Sequence, residues 1–153
     1  MAGRIYVVQT FGLLSSGSTK TLILLGPSGN VGFKLVELGI SMDNVVTSAE
    51  PVRFDIYRVT TLGSPSGTGV SYGGLDANIE AGQTSATVNL TVEPTAVSIM
   101  QGWLIQPNSG LFVEQWPLGR EFVAPASGNR LGIRYTTPTN VAPTAYVYVN
   151  FEE

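Results

Sequence analysis

The run Gly69-Val70-Ser71-Tyr72-Gly73 has the G-x-S-x-G spacing of a nucleophile elbow, in which a strained strand-to-helix turn presents a serine hydroxyl to a carbonyl. That chemistry needs a base to take the serine proton, and none of the 153 residues is histidine. No helical pattern follows the glycine-rich stretch that holds Ser71, so the match reads as coincidence. Asp76, Asn78 and Glu80 set oxygen ligands at alternate positions, as the start of a calcium loop does. The sixth and twelfth positions then carry Ala81 and Thr87, where the loop requires glycine and glutamate, which leaves a turn closing the loop. Most of the eleven acids sit where solvated strand faces or loops are expected, and Glu114 and Glu121, which flank Trp116, are the least implausible pair for the two carboxylates of a glycoside hydrolase. Trp103, Trp116, Tyr146 and Tyr148 have rings that stack on sugars, although aromatics of this size more commonly fill cores or interfaces. Asn89-Leu90-Thr91 is a glycosylation sequon, which has meaning only in an exported protein.

The missing residue types narrow the chemistry further. Histidine alone has an unperturbed pKa suited to proton transfer near neutrality, and cysteine, the strongest side-chain nucleophile, is also absent. Without them no disulfide framework and no cysteine/histidine zinc pattern can be written. The expectation is a protein that is not an enzyme, with no catalytic residues, no metal and no cofactor. Basic residues number 8 and acidic residues 11, for a net charge of −3. Arg4, Lys20, Lys34, Arg53, Arg58, Arg120, Arg130 and Arg134 are scattered, whereas nucleic-acid binding needs a basic stripe to displace counterions. The charged fraction of 12% is about half the usual share and hints that other chains cover part of the surface. Ile5–Val8 is too short for the apolar region of a signal peptide, and Leu22–Leu25 is far short of a membrane span of ~20 residues. A protein made without export and apart from membranes is expected.

The elements that must position any site are strands. Period-two patterning and turn residues place them at Arg4–Phe11, Thr19–Leu25, Lys34–Asp43, Pro51–Thr60, Thr84–Val92, Ser98–Gln106, Leu111–Trp116, Arg120–Val123, Arg130–Tyr135 and Ala145–Phe151. Residues 62–83 form a long glycine-rich loop, and such a loop in a compact domain is functional or mobile. The expected fold is a single all-β domain over residues 1–153, an antiparallel β-sandwich of jelly-roll type with about eight to ten strands.

Several strands are apolar on both faces. Tyr6 and Val8 lie opposite Ile5 and Val7; Leu22 and Leu24 lie opposite Ile23 and Leu25; Tyr146 and Tyr148 lie opposite Val147 and Val149. An antiparallel strand with one wet face should alternate. Either the glycine-rich loop and the chain's own closure cover the second face, or a protein–protein interface does; the interface is the preferred reading, since exposed apolar patches usually mark one. Its candidate residues are Tyr6, Leu24, Trp116, Tyr146 and Tyr148.

Nearly the whole chain resembles short proteins encoded in the structural-gene regions of bacteriophages. The likeness rests on Met1-Ala2-Gly3-Arg4-Ile5-Tyr6-Val7-Val8, on Pro51-Val52-Arg53-Phe54-Asp55-Ile56-Tyr57-Arg58-Val59-Thr60-Thr61 running into a Gly/Ser/Thr stretch and Leu75-Asp76, on Gly102-Trp103, on Arg130-Leu131-Gly132-Ile133-Arg134, and on Phe151-Glu152-Glu153. The resemblance implies a virion component: a small β-sandwich decoration, or cement, protein on the capsid exterior, assembled in the host cytoplasm. Such proteins commonly form homotrimers at local threefold positions and reinforce the shell of major capsid protein. The resemblance assigns no functional residue. The alternative is a carbohydrate- or receptor-binding module of a virion.

Overall fold

The computed structural model describes residues 3–43, 50–76 and 80–153, and no helix occurs among them. The strands are β1 (Ile5–Leu13), β2 (Thr19–Gly26), β3 (Phe33–Asp43), β4 (Val52–Thr61), β5 (Ser66–Gly69), β6 (Gly73–Gly74), β7 (Ser85–Val92), β8 (Ala96–Ile105), β9 (Leu111–Gln115), β10 (Phe122–Ala124), β11 (Leu131–Thr136) and β12 (Thr144–Glu152). They form two six-stranded antiparallel sheets packed as a β-sandwich. The first sheet runs β10-β3-β12-β1-β6, with β9 also on β3, and the second runs β5-β7-β2-β11-β4-β8. β5 and β6 lie inside the stretch expected to be a plain loop; Gly and Ser there mask the alternation by which strands are recognised.

The core between the sheets takes Ile23, Phe54, Ile56 and Ile133 from the second sheet and Leu38, Ile40, Val147, Val149 and Phe151 from the first. Burying each such side chain is worth about 1.5–3 kcal/mol, enough to set which face of each strand turns inward. The glycine-rich segment closes one flank. Tyr72 meets Tyr6 edge-on at 5.4 Å between ring centroids and Phe151 at 5.2 Å. The Tyr6 hydroxyl donates to the Glu80 carbonyl at 3.0 Å.

Departures from strict alternation explain the two-sided strands. Ile133 pairs Ile23 and Arg134 pairs Thr21, so Leu22 is an extra residue in β2. The bulge lets Leu22 and its neighbour Ile23 both enter the main core, with Leu25 beyond them. On β3, Asn150 pairs Glu37 while Phe151 pairs Leu35, so Val36 is skipped. Phe33 and Leu35 therefore share the core with Leu38, Ile40 and Met42, and Val36 leaves the face on which simple alternation sets it. On β7, Asn89 has φ 50°, a left-handed conformation that asparagine tolerates. Its side-chain oxygen accepts a hydrogen bond from the Thr10 hydroxyl at 3.0 Å, while Leu90 turns to the outer side of the second sheet.

There Leu24, Tyr57, Val59 and Leu90 form a satellite core with Val97 against it. Gly132 makes room for it, because a Cβ at that position would lie 2.3 Å from the Tyr57 ring. The Tyr57 hydroxyl shares a 2.7 Å hydrogen bond with the Thr21 hydroxyl, which also donates to Glu93. Beside it Asp55, 2% exposed, accepts from Arg53 Nε at 2.7 Å and Arg134 Nε at 3.4 Å. Two guanidinium partners offset the desolvation of that carboxylate.

Candidate functional interface

Directly paired residues in neighbouring antiparallel strands project to the same side. Three such rows cross the outer face of the first sheet: Leu111, Ser41, Tyr146 and Phe11; Val113, Gly39, Tyr148 and Gln9; Gln115, Glu37, Asn150 and Val7. Leu13 extends the face along β1. Phe11 is 70% exposed, Leu13 72% and Leu111 60%, and Val113 and Tyr146 are also exposed. A contiguous set of apolar side chains this exposed is uncommon on a solitary soluble domain.

The polar groups on this face are tied to one another. Glu37 accepts hydrogen bonds from the Tyr148 hydroxyl at 2.7 Å, from Asn150 Nδ2 at 3.3 Å and from Gln115 Nε2. The Tyr146 hydroxyl donates to Gln9 Oε1. The hydrogen bond to Glu37, then partial burial, pushes the Tyr148 phenol up to about 12. Tyr148 reaches Glu37 by lying across β3 at Gly39, where a Cβ would stand 1.9 Å from its ring. The Tyr146 and Tyr148 rings sit 6.2 Å apart, tilted by 49°. Glu37, Gln115, Tyr148 and Asn150 hydrogen-bond one another, and Tyr146 bonds Gln9, so the face offers apolar and aromatic area around one carboxylate that neutral donors hold in place.

Of the residues expected at an interface, Tyr146 and Tyr148 lie on this face, but Tyr6, Leu24 and Trp116 do not. Tyr6 is buried in the main core under Tyr72, so the glycine-rich segment covers it. Leu24 is buried in the satellite core against its own chain. Trp116 is buried too, edge-on to Phe122 at 5.2 Å. The structure corrects those three placements, because intramolecular packing takes up the area a sister chain was expected to bury. Phe11, Leu13, Leu111 and Val113 were missed. The polar residues Gln9 and Asn150, set among apolar neighbours, are the sequence signal marking the outward positions of β1 and β12.

The other chemical motifs fall apart in space. Ser71 is exposed between β5 and β6, with a strand after it instead of the helix an elbow requires. Asn78 lies outside the described residues, and Glu80 pairs with Arg4 at 3.1 Å. The Glu121 carboxyl is held below its usual range by its own backbone N–H and, against a burial effect, by that of Gly119 and by Lys34. A glycosidase general acid needs the opposite shift. Trp103 is part-buried and packs on Phe112 at 5.7 Å, joining β8 to β9. A cleft of about 240 Å³ opens between β1 and β2, and among the described residues lining it Lys20 carries the charge. Among the described residues no helix is long and apolar enough to cross a membrane.

No protein-family model matches the chain, and no curated protein is similar to it in sequence.

Proposed function

We propose that this chain is a structural virion protein, a jelly-roll decoration protein that stabilises a phage capsid as a homotrimer bound to the major capsid protein. The observation carrying the reading is the exposed apolar face on β9, β3, β12 and β1, where Tyr148 and Asn150 are hydrogen-bonded to Glu37. Such a face is made to be covered by protein. The threefold number, the capsid partner and the exterior location come from the resemblance to phage structural proteins. In this reading Phe11, Leu13, Leu111, Tyr146 and Tyr148 meet a sister chain or the shell, the protein does no chemistry, and neither nucleic acid nor membrane is a partner.

Light scattering after size exclusion should report about three chains, against an obligate interface of more than ~2,000 Å². Purified protein should bind expanded capsids stoichiometrically and tolerate high salt, because so few charges leave little electrostatic attraction to screen. A clean monomer that does not associate with capsids at saturating concentration refutes the proposal.

The tilted Tyr146–Tyr148 pair, flanked by Gln9, Glu37 and Asn150, also favours a second reading, a carbohydrate-binding module of a virion. Glycan arrays discriminate: a hit abolished by Tyr146→Ala supports the module, and blank arrays with capsid binding support decoration.

A further inference from the structure

Sheet edges expose unpaired N–H and C=O groups, and proteins blunt them with short strands, charges, proline or bulges. Most edges of this sandwich follow that rule. β5 has 4 residues, β6 has 2 and β10 has 3, while the 5-residue β9 carries Glu114. β8 is different. It forms an edge of the second sheet over 10 residues, Ala-Val-Ser-Ile-Met-Gln-Gly-Trp-Leu-Ile, with no charge and no proline. Leu104 is 72% exposed on it, and Ile99 and Met100 are exposed as well.

We propose that β8 docks the β8 of a second copy of this chain, antiparallel about a twofold axis between Met100 and Gln101, joining the two second sheets into one. The register follows from the faces. Pairing every residue of β8 with its counterpart sets Val97 opposite Leu104 of the second copy, Ser98 opposite Trp103 and Ile99 opposite Gly102. In a regular strand these pairs would join opposite faces, because their spacing is odd. β8 is not regular: Ile56 pairs Gln101 and Tyr57 pairs Ile99, so Met100 is an extra residue at the centre. The bulge restores the match. Trp103 and Ile105 face the main core, whereas Val97 packs on the satellite core. Ile99 pairs Tyr57 of that satellite, and Gly102 abuts Asp55 on the same outer side. The pairing therefore sets Val97 and Ile99 against Leu104 and Gly102, all on the outer side, and covers the most exposed large apolar side chain of β8.

The self-complementary faces that the bulge produces select a second copy as the occupant, and the lack of charge permits it. Twofold pairing brings the residues beside the axis, Met100 and Gln101, close to their own copies, so a charge there would meet its like, and β8 has none. The contact lies on the other sheet from the first sheet's outer face and is independent of the capsid reading; where trimers form, it joins one trimer to another at concentrations above those at which light scattering reports three chains.

The chain contains no cysteine, so introduced cysteines report the contact cleanly. Within one chain, positions 97 and 104 are ~23 Å apart along the strand and cannot bridge each other. Across the proposed axis, paired Cα atoms stand ~4.5–5.5 Å apart, within disulfide range. Oxidised Val97→Cys/Leu104→Cys protein should run as a covalent dimer on a non-reducing gel, with at least tenfold less dimer from either single variant. Adding Met100→Lys should suppress bridging by setting two ammonium groups at the axis. A folded double variant that stays monomeric after oxidation, or single variants that bridge equally well, overturns the proposal. If the double variant does not fold, hydrogen exchange of the unsubstituted chain decides. β8 amide protection should rise with protein concentration, and protection independent of concentration overturns it.

Discussion

Gly39→Ala tests whether the tyrosine face is a constructed surface. The new methyl would stand 1.9 Å from Tyr148 Cε1 and 2.2 Å from Cζ, so the whole ring must leave β3. With it goes the 2.7 Å hydrogen bond to Glu37. A hydrogen bond to a charged group contributes about 1.5–3 kcal/mol when buried, and about 1–1.5 kcal/mol is appropriate at this part-exposed position. Lost ring packing adds about 0.5–1 kcal/mol. Replacing glycine within a strand returns about 0.5–1 kcal/mol of backbone entropy. The net is a destabilisation of about 1 kcal/mol, or roughly 3 °C in Tm for a domain of this size. Urea unfolding measures it, with Tyr148→Phe as the variant that removes only the hydroxyl. Because both substitutions break the same bond, their effects should fall short of additive. Ultraviolet titration gives a second readout, since the Tyr148 phenol should drop from about 12 toward its ordinary value once it parts from Glu37. Unchanged stability together with an unchanged titration curve would refute the account of Gly39.

Gly132→Ala should cost more, about 3 kcal/mol by urea unfolding, because the Tyr57 ring it displaces is fully buried and hydrogen-bonded to Thr21. Alkaline pH should unfold the protein. Burial raises the Tyr57 and Tyr72 phenols and the Glu37 hydrogen bond raises Tyr148, so their stabilisation is complete below ~10, the unfolded tyrosine value, and is lost as pH rises through the folded values. Circular dichroism against pH should show a cooperative loss above that point, and a flat profile to pH 12 would contradict it. Ser71→Ala should leave urea stability within about 0.5 kcal/mol, because the side chain is exposed and the site lacks the helix of an elbow.

Local patterning made the strand framework legible. The ten long or well-patterned strands fall close to their expected places because side-chain alternation and Gly/Pro turns are properties of neighbouring residues. The absence of histidine and cysteine is likewise a property of the sequence alone, and it excludes whole classes of chemistry before any fold is known. Which apolar face meets water was not legible in the same way. Tyr6 and Tyr148 both sit in strands apolar on two sides, yet one is buried under Tyr72 and the other lies on the outer face. What separates them is pairing between distant segments. β1 meets β12, the bulges at Leu22, Val36 and Met100 exist only against β11, β12 and β4, and Gly39 matters because Tyr148 crosses it. A period of two shows that a strand has two faces. Only the register set by its partners decides which of them is covered.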